Sequence, residues 1–176
     1  ERMGRILAEH LLELGHRKVA FLSTPLTQRQ SARRARVRGF CQAFEEAGYG
    51  DSVYVKSLPE EMDVMFQEMD MEYKTGYELD FALGIRDALL DKHYRIPEDI
   101  SVLGCDNLLF SGLRGIDLTT VEHFTSKKGE NACEILLRKI EEQRQKQDKR
   151  EQGMIYHIEY EPRLILRGST SYPRQL

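Results

Sequence analysis

Cysteine is scarce in this sequence: Cys41, Cys105 and Cys133 are an odd number without C-x-x-C spacing, so they outline neither a zinc site nor a disulfide framework. They read as reduced structural thiols of a cytosolic protein. The five histidines, His10, His16, His93, His123 and His157, form no H-x-x-x-H pair, and no metal or other cofactor is expected. Long apolar runs are missing too. None approaches the roughly 18 residues that a bilayer-spanning helix requires, and the first residues carry charge where a signal peptide would carry its apolar core. A cytoplasmic location without a membrane partner follows as the expectation.

An excess of one charge sign is also lacking, with 26 Lys and Arg against 29 Asp and Glu and a formal net charge of −3. General attraction to phosphate backbones is therefore weak, which disfavours nucleic-acid binding by this stretch itself. No nucleophile elbow, Walker loop or G-x-G-x-x-G occurs, and the carboxylate pairs Glu45–Glu46 and Glu60–Glu61 are sequence neighbours that read as solvated surface. Nothing supports an enzyme.

What is present suits one soluble globular piece: 176 residues, of which 40% are apolar, suffice to bury a core. Apolar residues at Ile6, Leu7, Leu11, Leu12 and Leu14 recur at helical spacing, and Gly15 offers the left-handed stop. Lys18–Ser23 (KVAFLS) is a nearly continuous apolar run, which predicts a strand buried on both faces of a parallel sheet. After a Pro25 loop, Ser31–Gly48 predicts a helix through Phe40, Ala43, Phe44 and Ala47, and Ser52–Leu58 a second strand. Pro59–Asp80 holds four methionines and many acids in a spacing that specifies no element. Phe81–Leu90 again predicts a helix, Ile100–Gly104 a strand after a Pro97 turn, Ser126–Arg150 a long charged helix and Ile158–Leu166 extended chain. Helices alternating with short apolar strands place the chain in the α/β class with a mostly parallel sheet flanked by helices.

Six segments in register carry a resemblance: LLELGHRKVAFLS (Leu11–Ser23), RVRGFCQAFEEAGY (Arg36–Tyr49), TGYE (Thr75–Glu78), FALGIRDALLDKHYRIPEDISVLGCDN (Phe81–Asn107), DLTTVEH (Asp117–His123) and EPRLILRGST (Glu161–Thr170). Together they resemble the effector-sensing domain of LacI/GalR transcription regulators, a periplasmic-binding-protein-like fold of two subdomains. The resemblance implies that residues 1–120 and 160–170 form mainly the C-terminal subdomain. Residues 121–159 would hold the hinge crossing and a helix of the N-terminal subdomain. It implies a homodimer, a small-molecule effector such as a sugar or related metabolite, and DNA binding through an N-terminal helix-turn-helix that has no counterpart in this chain. The alternative is a solute-binding protein of a sugar transport system, which shares the fold.

Two departures stand out. The family carries a further helix and strand between TGYE and FALGI, whereas here Glu78 is followed by Leu79, Asp80 and Phe81. Removing a central strand would strip its neighbours of backbone partners, so a segment missing near 78–81 is expected. The helix-turn-helix and the first half of the family's sensing domain also have no counterpart before Glu1, and the resemblance implies that the helix Ser126–Ile140 packs on that N-terminal subdomain, since its stripe of Ala132, Ile135, Leu136 and Ile140 would otherwise face water.

The resemblance assigns effector contacts. Arg36, in the R-x-x-G-F pattern, offers a planar fork of donors suited to hydroxyls, carboxylates or phosphates; the plainer reading makes Arg33, Arg34, Arg36 and Arg38 a solvated helix face. Asp106, in GCDN, stands where a parallel strand ends and ligands are met, with a turn residue bonding its own backbone as the alternative. Met71 or Tyr73 would stack on a ligand ring, although core packing suits either. Ala32 replaces a polar residue of the family, for which Ser31 or Gln30 would substitute. His123, after the LTTV segment near the hinge, is a further candidate for lining the cleft.

Overall fold

The computed structural model describes residues 1–23, 26, 30–57, 81–145 and 155–174. Met71, Tyr73 and the junction at 78–80 lie outside the described residues.

The chain opens with helix α1 (Arg2–Glu13), strand β1 (Val19–Ser23), helix α2 (Ser31–Glu46) and strand β2 (Val53–Ser57). Each helix ends where the sequence supplies a left-handed glycine, Gly15 at φ 93° and Gly48 at φ 82°, a conformation that side-chain-bearing residues resist. β1 and β2 pair in parallel from Val19↔Val53 to Ser23↔Ser57. Helix α3 (Phe81–Asp91) leads to β3 (Leu103–Cys105), then β4 (Thr119–Glu122), helix α4 (Thr125–Gln145) and β5 (Arg163–Ile165). β3 and β4 are parallel, and β5 closes that sheet antiparallel to β4.

One apolar cluster joins the two sheets: Leu7, Ala8 and Leu11 of α1, Phe40, Ala43 and Phe44 of α2, and Val121 of β4, with Phe21, Val53, Leu103 and Leu164 packed against them. Phe21 meets Phe40 edge-on at 5.0 Å between ring centres, a favoured aromatic geometry. A second cluster holds Ala82, Leu83, Val102 and Leu118.

The helices α1 and α2 cross at two glycines. A Cβ on Gly4 would overlap the backbone carbonyl of Arg36, and one on Gly39 would overlap that of Glu1. Only hydrogen at these positions lets the helices approach this closely, and the approach fixes where Arg36 leaves α2.

Two expectations change, and one strand is unannounced. β1 is not buried on both faces: Ala20 is exposed and Val19, Phe21 and Leu22 are half-buried, and among the described residues it is the α1 and α2 side that packs on the strand, through Val19 and Phe21. The strand expected at Ile100–Gly104 begins at Leu103, since Val102 donates its amide to Ser169 of the C-terminal segment instead. Finally, Thr119–Glu122 is a central strand that apolar patterning does not announce. Thr119 and Thr120 are fully buried, and their hydroxyls are satisfied by distant chain: Thr119 Oγ1 donates to the Arg167 carbonyl at 3.0 Å, and Thr120 Oγ1 accepts the Asn107 amide at 3.3 Å.

Candidate functional site

The carboxyl ends of β3 and β4 bring together residues from four parts of the chain. Asp106 and Asn107 follow β3 with φ of 77° and 45°. Such positive values are uncommon outside glycine, and Asp and Asn tolerate them best. The turn lifts the Asp106 side chain off the strand and is anchored on β4: the Asp106 amide donates to the Val121 carbonyl at 2.9 Å. Asn107 is clamped on both sides, donating to Glu122 Oε2 at 2.9 Å and accepting from Arg167 at 2.7 Å.

Asp106 Oδ1 receives His123 Nε2 at 2.9 Å, and the Arg36 guanidinium lies 3.7 Å from the same oxygen. Thus Arg36 leaves the solvated face of α2 and converges on Asp106, while Arg38 stays exposed and pairs with Glu1. Asp106 likewise bonds a distant histidine and not merely its own turn. The Arg36 Nε is buried and meets no hydrogen-bond partner among the described residues, so its fork retains donors at an exposed carboxylate. Buried donors of this kind are satisfied by protein, water or ligand.

On the far side of the ring, Lys128 Nζ lies 3.1 Å from His123 Nδ1, and the Thr125 hydroxyl lies beside the ring, 3.4 Å from Nδ1 and 3.2 Å from Nε2. Glu122 turns away, accepting from the Phe124 amide and from Asn107. Burial raises the Glu122 carboxyl, but these donors outweigh it and hold the group below its ordinary value. Among the described residues, no three His, Cys, Asp or Glu side chains converge as metal ligands.

Of the sequence candidates, the structure unites Arg36, Asp106 and His123. Ser31 is the exposed first residue of α2; five residues before Arg36, it faces about 140° around the helix from it. Gln30 precedes the helix without a side-chain capping bond, and Ala32 is exposed. Lys128, Asn107 and Arg167 join the site without a local signal of their own, although Asn107 and Arg167 lie inside the segments GCDN and RLILRGST that carry the resemblance. A hollow of about 550 Å³ lies elsewhere, at the amino ends of β1 and β2 beside Lys18, Val19 and Asp51. Parallel sheets bind ligands at the opposite ends of their strands, so the hollow is not the candidate site.

Residues 8–170 match the periplasmic binding protein-like domain. The chain is 31% identical over 185 residues to the HTH-type transcriptional repressor PurR of Mannheimia succiniciproducens, covering 94% of this chain and 49% of that protein. To the arabinose metabolism transcriptional repressor of Geobacillus stearothermophilus it is 28% identical, covering 97% of this chain and 48% of the relative. The chain thus spans about half the length of the curated relatives it matches. Among solved structures it resembles a LacI family transcriptional regulator from Enterococcus faecium with bound ribose (TM-score 0.74, 24% identity, 98% of this chain and 63% of that one). It also resembles the dimeric Lac repressor (TM-score 0.73, 21% identity, 98% and 62%). These likenesses establish the periplasmic-binding-protein-like fold.

Proposed function

The chain belongs to the LacI/GalR family of effector-binding domains, and from that premise we propose that it is the effector-sensing part of a DNA-binding transcription regulator. A small molecule, a sugar or related metabolite, enters a cleft whose wall here is Arg36, Asp106 and His123. Its differential affinity for two hinge-related arrangements then biases DNA binding by a helix-turn-helix outside this sequence, within a homodimer. A solute-binding protein would share the fold, but the curated relatives are repressors, which favours the regulator.

The observation that carries this reading is the convergence of Arg36 and Asp106 at the carboxyl ends of β3 and β4. A carboxylate that accepts and a guanidinium that donates together match a polyhydroxyl ligand. A second support is α4, where Leu136 is 59% and Leu137 62% exposed. Together with the exposed Ala132 and Ile140, they leave an apolar face for an N-terminal subdomain to cover.

A thermal-shift panel of sugars, sugar phosphates and nucleobases, with ribose first, tests the reading. A binding compound raises the melting temperature of the wild type, and Asp106→Ala or Arg36→Ala weakens its affinity by about 10- to 100-fold, the worth of a hydrogen bond to a charged group. Stabilisation that persists unchanged in the double variant refutes the assignment.

A further inference from the structure

The ring of His123 is gripped from both nitrogens: Nε2 lies 2.9 Å from Asp106 Oδ1 and Nδ1 lies 3.1 Å from Lys128 Nζ. An ammonium has only donors, and an ionised carboxylate only accepts. Both contacts coexist in one protonation state alone, the neutral ring with its proton on Nε2. A second proton, on Nδ1, would point at the Lys128 ammonium and expel it.

We propose that His123, set by Lys128, is a positioning residue for Asp106 that makes the strength of the effector's acceptor depend on pH. The inference rests on the effector site proposed above. A neutral ring donating from Nε2 orients Asp106 and leaves its negative charge intact. Among the described residues the Arg36 and His123 contacts both fall on Oδ1, which leaves Oδ2 to a hydroxyl donor of the ligand. Because both ring nitrogens are occupied, His123 offers the ligand no free acceptor, and specificity at this point falls on Asp106.

Acid reverses the arrangement. An imidazolium donating to Asp106 forms a full ion pair, adds to the Arg36 charge already beside it, and draws down the field that a ligand hydroxyl would feel. The charged groups around the ring are Asp106 after β3, Arg36 of α2, Glu122 of β4 and Lys128 of α4. Arg163 of β5 pairs in register with Glu122 and stacks over Phe124 at 5.2 Å. Of these, only Lys128 contacts Nδ1, with Thr125 beside it.

Long-range proton–nitrogen NMR of the histidine rings, on the full chain without ligand, reads the tautomer directly. At pH 7.5 His123 should be neutral with its proton on Nε2, and the exposed substitution Lys128→Met should admit the Nδ1 tautomer. A wild-type ring that is charged or protonated on Nδ1, or unchanged by Lys128→Met, overturns the proposal. With ribose as the probe, wild-type affinity should fall about tenfold between pH 7.5 and 5.5, the loss of a charge-assisted bond to a neutral-like one. His123→Gln retains a donor at the place of Nε2 without titrating and should show a flat profile. Ribose affinity that is equally flat in the wild type also overturns the proposal. Absence of ribose binding at either pH counts against a ribose-type effector, and the ring spectra then judge the His123 assignment separately.

Discussion

Substituting alanine for a helix glycine should have opposite signs at two places in this chain. In an exposed helix interior, Gly→Ala gains about 0.5–1 kcal/mol, because glycine loses more backbone freedom on folding. Gly129 in α4 has open space where its Cβ would be, so Gly129→Ala should stabilise by that amount. Gly4 in α1 has the backbone carbonyl of Arg36 there, with the Phe40 amide 2.9 Å away. Backbone has no rotamer to move, so relief requires α1 and α2 to part along a face that buries Leu7, Ala8, Leu11, Phe40 and Phe44. Overpacking of this kind costs about 1–3 kcal/mol, and the upper end applies where both partners are rigid. After the propensity gain is offset, Gly4→Ala should lose roughly 2 kcal/mol. Urea unfolding monitored by circular dichroism measures both, with the slope unchanged if only the native state is affected. A Gly4→Ala chain as stable as the wild type would show that the crossing is not closed by glycine, and would undo the account of how Arg36 is placed.

Stability should also fall in mild acid. Burial pushes the His10 imidazole below its ordinary value, against an opposing Glu13 and with help from His16. The unfolded chain therefore binds the proton first. Stability is full above about pH 6.5, where unfolded histidine is neutral, and declines as pH falls from there through the lower folded value. His10→Gln should flatten that part of the urea-midpoint profile, and an unaltered slope would assign it to other groups. Ser169 is 2% exposed; its hydroxyl donates to the Val102 carbonyl at 2.6 Å and accepts the Thr119 amide at 2.8 Å. Ser169→Ala leaves two buried backbone groups unpaired and should destabilise by about 1–3 kcal/mol, whereas a neutral result in urea would mean that water replaces the hydroxyl.

Local signals carried the helices and β2 well. Apolar spacing at Leu7, Leu11, Phe40 and Phe44 points to the faces that meet in the core, and Gly15 and Gly48 end their helices as their freedom of φ suggests. Those signals failed where a residue's surroundings come from far along the chain. Thr119 and Thr120 look like surface residues by composition, yet a segment almost fifty residues downstream satisfies the Thr119 hydroxyl and allows its burial. Lys128 reads as one more charge on a charged helix, because the aspartate–histidine pair it completes is assembled only when α4 starts beside β4. Periodicity reports which side of an element is apolar; it has no term for a hydroxyl or an ammonium whose partner lies in another element.

The same distinction explains why Asp106 was legible. Two consecutive left-handed residues, Asp106 and Asn107, store backbone strain of the order of 1–3 kcal/mol each. Strain persists only where neighbours over-determine it, and here β4 and the C-terminal segment do so through Val121, Thr120, Glu122 and Arg167. Every one of those bonds holds the turn by its backbone or by Asn107, and none consumes the Asp106 carboxylate. The scaffold thus fixes the position of the carboxylate, while among the described residues Arg36 and His123 are the side chains that pair with it. Position and charge can therefore be separated by mutation: Arg167→Ala should loosen the turn and lower stability without changing the pH at which ligand affinity falls, whereas His123→Gln should remove the pH dependence while leaving the turn in place.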